Sequence, residues 1–392
     1  MNATLELIQP SLTLAISAKA KELSAQGIHV CSFAAGEPDF DTPQIIKDAA
    51  TKAIAEGKTK YTPARGIPEL CKAVADKLLR ENNIRYDPSQ VIISSGGKQS
   101  LANAFLALLN RGDEVLIPSP FWLSYPEMVR IAGGKPRFIK TKQSNNFKLT
   151  PAALEKAIRP KTKVLVLNYP SNPTGATYSA DELRAIGDVC VRHNLWIIAD
   201  EMYERMIWTD SPFVSIASLS PEIKARTLTC NGVSKTYSMT GWRIGYCAGP
   251  IEVIKAMTTV QSHCASNPST PSQYAALAAL TKGEEAIQPM LAAFRKRSVF
   301  IYRKLKKIRG IRVMRPDGAF YIFPNVKAFG LDSVTFCKRL LDEKHVACVP
   351  GTAFGAPDCI RLSYACSLEE IEEGVNRLAQ FCDSLRAANA QS

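Results

Sequence analysis

Lys235 and Arg243 stand eight residues apart in the string Ser-Lys-Thr-Tyr-Ser-Met-Thr-Gly-Trp-Arg-Ile-Gly-Tyr, residues 234–246. The lysine follows an apolar strand-like run, and the arginine sits beside glycines. A lysine amine forms a Schiff base with an aldehyde, and an arginine fork holds a phosphate. Upstream, the short Ile-containing run Leu195–Ala199 reads as a buried strand and ends in Asp200-Glu201-Met202-Tyr203. Asp200 therefore falls just past a strand's C-terminal end, where ligands of open α/β sheets collect.

One cofactor meets all three needs. Pyridoxal phosphate carries an aldehyde and a phosphate on a single pyridine ring, and an acid against the ring nitrogen lets that ring accept electrons. Further loops after strand-like runs suit the same ligand. Gly96-Gly97-Lys98 precede a helix, and glycines before free helix amides suit an anion. Neither Walker spacing nor G-x-G-x-x-G is present. Asn172, in the proline-bounded loop Asn168–Gly175, offers an amide, and Trp122 offers a surface that stacks on a flat ring. Arg361, after Ile360, is placed to clamp a carboxylate with two parallel hydrogen bonds. Each feature also has an ordinary reading: a strand-to-helix turn, an Asn-Pro turn, a core tryptophan, a surface arginine. Gly36–Pro43 is a stiff entry loop with a helix starting near Pro43. Its acids Glu37, Asp39 and Asp41 read as caps or surface groups, and no metal site is expected.

These loops need a frame. A chain of 392 residues favours two domains. Val91–Ile93, Glu114–Ile117, Lys163–Leu167, Leu195–Ala199, Thr227–Thr229 and Ile244–Ala248 read as strands. Leu101–Leu109, Asp181–Arg192 and Ile251–Val260 read as helices. That alternation predicts an α/β fold, a mostly parallel sheet with helices on both faces. The expected division is a large domain over 44–288 and a smaller α+β domain from both chain ends, 1–43 and 289–392.

Hydrophobic residues at 46% and charged residues at 22% describe a soluble globular chain. No apolar run approaches the roughly 20 residues of a membrane helix. The opening Met1–Glu6 has no basic and apolar leader, so a cytoplasmic location is expected. Eleven cysteines without a C-x-x-C pair, and only four histidines, give no metal spacing and suggest reduced, buried thiols. The net charge of +13 invites a nucleic-acid reading. Yet the ten basic residues of 295–315 interleave with Val299, Phe300, Tyr302, Leu305 and Ile308, as on an amphipathic helix with a solvated basic face. No nucleic-acid or membrane partner is expected.

Taken together, Gly-Glu-Pro-Asp-Phe-Asp-Thr-Pro, Ser-Asn-Pro-Thr-Gly, Asp-Glu-Met-Tyr and Ser-Lys-Thr-Tyr-Ser-Met-Thr-Gly-Trp-Arg-Ile-Gly-Tyr resemble the class I, fold type I aminotransferases that use pyridoxal phosphate. The similarity runs from Pro10-Ser11-Leu12-Thr13 to Arg361–Ala365 and leads to the branch of bacterial-type aspartate and prephenate aminotransferases. The resemblance implies that Lys235 binds the cofactor and later moves the Cα proton. It implies that Asp200 pairs with the ring nitrogen, Tyr203 and Asn172 with the ring oxygen, and that Trp122 stacks. Gly97, Lys98 and Arg243 would surround the phosphate, and Tyr61 would reach the phosphate of a neighbouring subunit, which makes a homodimer. Arg361, the Gly36 amide and Asn172 would take the substrate α-carboxylate.

In this branch Lys98 and Thr13 match positions linked to a distal carboxylate, which implies aspartate and 2-oxoglutarate as substrates of a ping-pong cycle via pyridoxamine phosphate. Gln9 stands where some prephenate-active relatives carry lysine, which departs from that activity without removing it. Gly232 replaces the family's phosphate-contacting serine, so that contact stays unassigned. A lyase on the same scaffold is an open alternative that would turn over without a keto acid. A regulator of this fold would need a DNA-binding segment for which this chain has no spare length.

Overall fold

The computed structural model describes residues 12–391 together with Glu6 and Ile8. Gln9, Pro10 and Ser11 lie outside the described residues, as does the side chain of Thr13. In chain order the strands are β1 Cys31–Ser32, β2 Val91–Ser94, β3 Glu114–Ser119, β4 Lys135–Lys140, β5 Thr162–Asn168, β6 Trp196–Asp200, β7 Thr227–Gly232 and β8 Gly245–Ala248. They continue with β9 Tyr321–Ile322, β10 Val346–Ala347, β11 Val349–Pro350 and β12 Ile360–Ser363.

Seven strands form one sheet in the order β2-β8-β7-β6-β5-β3-β4. β3 to β7 run parallel, and β8 is antiparallel to both β2 and β7. The expected α/β architecture is thus present, with one reversed strand that hydrophobic runs do not reveal. β5 and β6 are covered on both faces, which is why they read as nearly continuous apolar runs. Along β6 the side chains alternate. Ile198 packs with Leu101, Phe105 and Tyr125, whereas Ile197 and Ala199 pack with Leu183, Ile186 and Tyr169.

One covering helix carries its own start signal. Ser179 and Glu182 form a reciprocal capping box before helix Ala180–Arg192, whose buried face includes Leu183, Ile186 and Val189. Edge strand β4, Lys-Pro-Arg-Phe-Ile-Lys, escapes a hydrophobic scan because lysines and a proline blunt an edge against further pairing.

The registers align the working ends. Asn168 of β5 lies opposite Asp200 of β6, and Asp200 opposite Cys230 of β7. The loops carrying Asn172, Met202–Tyr203 and Lys235 therefore leave the sheet side by side. Elsewhere β1 pairs in parallel with β10, and β11-β12-β9 form a small antiparallel sheet that holds Arg361 opposite Val349. The basic stretch is helical only to Leu305; a turn follows, although Ile308 is still buried. No helix among the described residues is long and apolar enough to cross a membrane.

Candidate active site

A cavity of about 350 Å³ opens where β3, β5, β6 and β7 end. Its floor carries Asp200, Tyr203 and Lys235. Asp200 accepts from the Tyr125 hydroxyl at 2.5 Å on Oδ2 and from the Met202 amide at 3.3 Å on Oδ1. Burial pushes its pKa up to about 6, against the pull of the Tyr125 hydrogen bond and the Lys235 charge. A cation brought to the same carboxylate would hold it ionised. Lys235 donates to the Gly36 carbonyl at 2.5 Å. Burial lowers its pKa to about 8, helped by the charges of Arg243 and Arg361 and opposed by Glu37 and Asp200. A usable fraction of neutral amine follows near physiological pH, as a nucleophile or base requires.

One end of the cavity holds a buried guanidinium. Arg361 is 2% exposed and donates from Nη1 to Asn172 Oδ1 at 3.1 Å and from Nη2 to the Ala34 carbonyl at 2.9 Å. Both partners are neutral, and its Nε has none. The guanidinium lies 4.6 Å from the Tyr321 ring centroid, and the Tyr321 hydroxyl meets that of Tyr203 at 2.9 Å. A buried charge with neutral partners is costly, and a carboxylate would relieve it. Gly36 belongs to this end; a Cβ there would touch the Tyr321 hydroxyl at 3.4 Å.

The other end is a glycine cradle. Gly96 caps helix Gly97–Leu108 at φ 82°, and a Cβ on it would fall 2.2 Å from Arg243 Nη2. A Cβ on Gly245 would fall 2.2 Å from the Gly97 amide nitrogen. Only bare backbone lets the helix N-terminus and the Arg243 fork come this close, and free helix amides beside a guanidinium suit an anion. Arg243 itself holds φ 55° and donates to the Thr240 carbonyl at 2.7 Å. Lys98, at the exposed mouth, sits 5.1 Å from the Trp122 ring centroid, and burial lowers its pKa. Gly232 also has a structural cause: a Cβ would come within 3.0 Å of Gly245 Cα and the Ile244 carbonyl.

Ten of the twelve residues expected at the site thus border this cavity. Tyr61 does not; it is 89% exposed on its own chain. Thr13 lies on helix Leu12–Ala25, with its side chain outside the described residues. Sequence reasoning passed over Tyr125 and Tyr321, which touch Asp200 and Arg361 respectively. Tyr125 stands three residues after Trp122, a helical spacing that could have flagged it; Tyr321 carries no local signal.

The entry-loop acids are engaged elsewhere. Asp39 holds the Arg297 fork at 2.6 and 2.8 Å, Asp41 meets Lys47 at 2.7 Å, and Glu37 accepts from Thr240 at 2.7 Å. A larger groove of about 1010 Å³ lies between helices Pro68–Asn82 and Thr270–Lys282. Its charges pair with one another, as Lys72 with Asp76 and Arg205 with Glu81 and Glu284, so the smaller cavity is the one equipped for chemistry.

Comparison with known proteins agrees with this geometry. The model of aminotransferase class I and II matches residues 28–378. An aspartate aminotransferase of Geobacillus stearothermophilus is 50% identical over 382 residues, covering 96% of this chain and 97% of its own. An aspartate/prephenate aminotransferase of Cereibacter sphaeroides is 47% identical over 396 residues, covering 98% and 99%. The solved structure of Thermus thermophilus aspartate aminotransferase with maleate superposes with a TM-score of 0.93 at 43% identity, covering 97% and 99%. The α/β frame is accordingly that of the fold type I enzymes, and the chain belongs to the class I and II aminotransferase family.

Proposed function

We propose that this chain moves the amino group of L-aspartate to 2-oxoglutarate, giving oxaloacetate and L-glutamate in two half-reactions. The observation that carries this reading is the pairing, in one cavity, of a buried amine with lowered pKa and a buried guanidinium whose hydrogen-bond partners are all neutral. The cofactor is pyridoxal 5′-phosphate, which when bound supplies an electron-accepting ring. The glycine cradle and the unpartnered Arg361 Nε fit such a ligand and a carboxylate substrate.

In this reading Lys235 would hold the cofactor through its aldehyde and, when its amine is free, would carry the proton at the substrate Cα. Asp200 would keep the ring nitrogen protonated. Tyr203 and Asn172 would donate to the ring oxygen, and Trp122 would cover the ring face. Gly97 and Arg243 would hold the phosphate. Arg361, with the Gly36 amide and Asn172, orients the α-carboxylate so that the Cα hydrogen faces Lys235. Lys98 and Thr13 receive the distal carboxylate. A dicarboxylate preference accords with the maleate bound in the Thermus relative and with relatives named for aspartate.

The assembly proposed is a homodimer in which Tyr61 of the partner subunit completes the phosphate site; its 89% exposure on a single chain supports that role. Residues 44–288 form the large domain in this reading, and 1–43 with 289–392 the small one. Eleven free thiols suit a reducing, cytoplasmic compartment.

Prephenate is a second acceptor to test, because relatives at 45–47% identity are named for it. The experiment is a half-reaction panel on the cofactor-loaded protein. Aspartate and glutamate should bleach the visible cofactor band, and prephenate with glutamate reports the second activity. Failure of aspartate to bleach it, or steady product release from aspartate without any 2-oxo acid, would overturn the proposal.

A further inference from the structure

We propose that Tyr125 is a positioning residue for this reaction: its hydroxyl, donated to Asp200 Oδ2 at 2.5 Å, fixes the carboxylate as an ionised acceptor facing the cavity. The inference rests on the proposed role of Asp200 at the ring nitrogen.

Tyr125 is 1% exposed, near the start of helix Ser124–Ile131. Its ring meets Trp122 edge-on, with centroids 5.3 Å apart at 81°. One side chain thereby touches both the acid of the floor and the indole offered to a flat ligand, and sets the two relative to each other. Among the described residues it is the one side chain that donates to this carboxylate; the other donor is the long Met202 amide contact. The backbone behind is pinned as well, since Asn168 Nδ2 donates to the Asp200 carbonyl at 3.0 Å and Asn168 Oδ1 accepts from the Asn172 amide at 2.8 Å.

The ionisable groups facing Asp200 are Tyr125 from its helix, Tyr203 and Lys235 from the loops after β6 and β7, and Cys230 from β7. Burial raises Asp200, and the Tyr125 hydrogen bond is the first effect opposing it. Burial and the Asp200 charge hold the Tyr125 phenol well above its ordinary range, so it remains a donor at all physiological pH values. A hydrogen bond to the charged form favours that form. Without it the carboxylate protonates closer to neutrality.

The test titrates cofactor-free protein labelled with γ-13C aspartate, with the Asp200 resonance assigned through Asp200→Asn. Tyr125→Phe should raise the Asp200 midpoint by about one pH unit, the worth of one hydrogen bond to a charged group. It should also weaken pyridoxal phosphate binding about tenfold, with the loss deepening as pH falls. An unchanged midpoint overturns the proposal, and so does a shifted midpoint with unchanged cofactor affinity. Should the Phe variant fail to fold, 3-fluorotyrosine incorporated at position 125, a stronger donor, must lower the midpoint; no shift or a rise overturns the proposal. Wild-type protein that binds no pyridoxal phosphate would refute the cofactor site itself, a result separate from the Tyr125–Asp200 titration.

Discussion

Asp200 and Glu201 are neighbours in the chain and live in different chemical worlds. Asp200 continues the face of Ile198, beside Tyr125, and opens on a cavity that also holds Lys235. Glu201 lies on the side of Ala199 and Ile197. Its Oε1 accepts from Tyr169 at 2.8 Å and Ser215 at 2.6 Å, and its buried Oε2 has no partner. Burial, with the Glu204 charge adding to it, pushes the Glu201 pKa up to about 8. Two carboxyl groups one residue apart are thus assigned opposite duties by the two-residue period of the strand. The one that meets open, cationic space can serve as an ionised ring acid. The one sealed among aromatic and apolar groups is a neutral packing element at physiological pH.

The sharpest way to break this contrast is to neutralise each acid in turn. Asp200→Asn should lower kcat for transamination by about 10³-fold, the scale of losing one preorganised electrostatic partner of the reacting group. Glu201→Gln should leave kcat/KM within about twofold, and comparable losses in stopped-flow half-reactions would erase the distinction. Next in size, Arg361→Lys keeps the charge but loses the fork, and should weaken aspartate by about 10²-fold, read in KM. Lys98→Ala should cost dicarboxylates about tenfold while sparing alanine as donor, because its ammonium is partly solvated. An equal loss for all donors would assign Lys98 to the phosphate.

A separate effect concerns stability. The unfolded chain ionises Glu201 above its ordinary value of 4.5, whereas the folded protein holds the proton until about pH 8. Wild-type stability should therefore fall across that window, by a few kcal/mol. Glu201→Gln, with nothing to ionise, should show a urea midpoint that gains on wild type from pH 5 to pH 8.

The same contrast explains what was legible in the sequence. Asp200 and Asn172 were readable because each follows a short apolar run, the mark of a strand buried on both faces, and Lys235 by its spacing from Arg243. Arg361 was readable from its residue type after Ile360, although its clamp depends on Ala34, distant in sequence. Tyr125 offered only its spacing from Trp122 and Tyr321 no local signal, because an aromatic residue in an apolar setting reads as core until its hydroxyl partner is known, and those partners lie 75 and 118 residues away. The reversal of β8 was equally silent, since residue order along a strand does not encode its direction in the sheet. Edge strand β4 was missed because protection against aggregation removed its hydrophobic signature.

The central claim is that Lys235 is the amine that binds the cofactor. Borohydride reduction of the protein loaded with pyridoxal phosphate, followed by peptide mass spectrometry, tests it directly. The account predicts one stable phosphopyridoxyl adduct, on the peptide carrying Lys235. An adduct on another lysine, or none with the cofactor in excess, would contradict it.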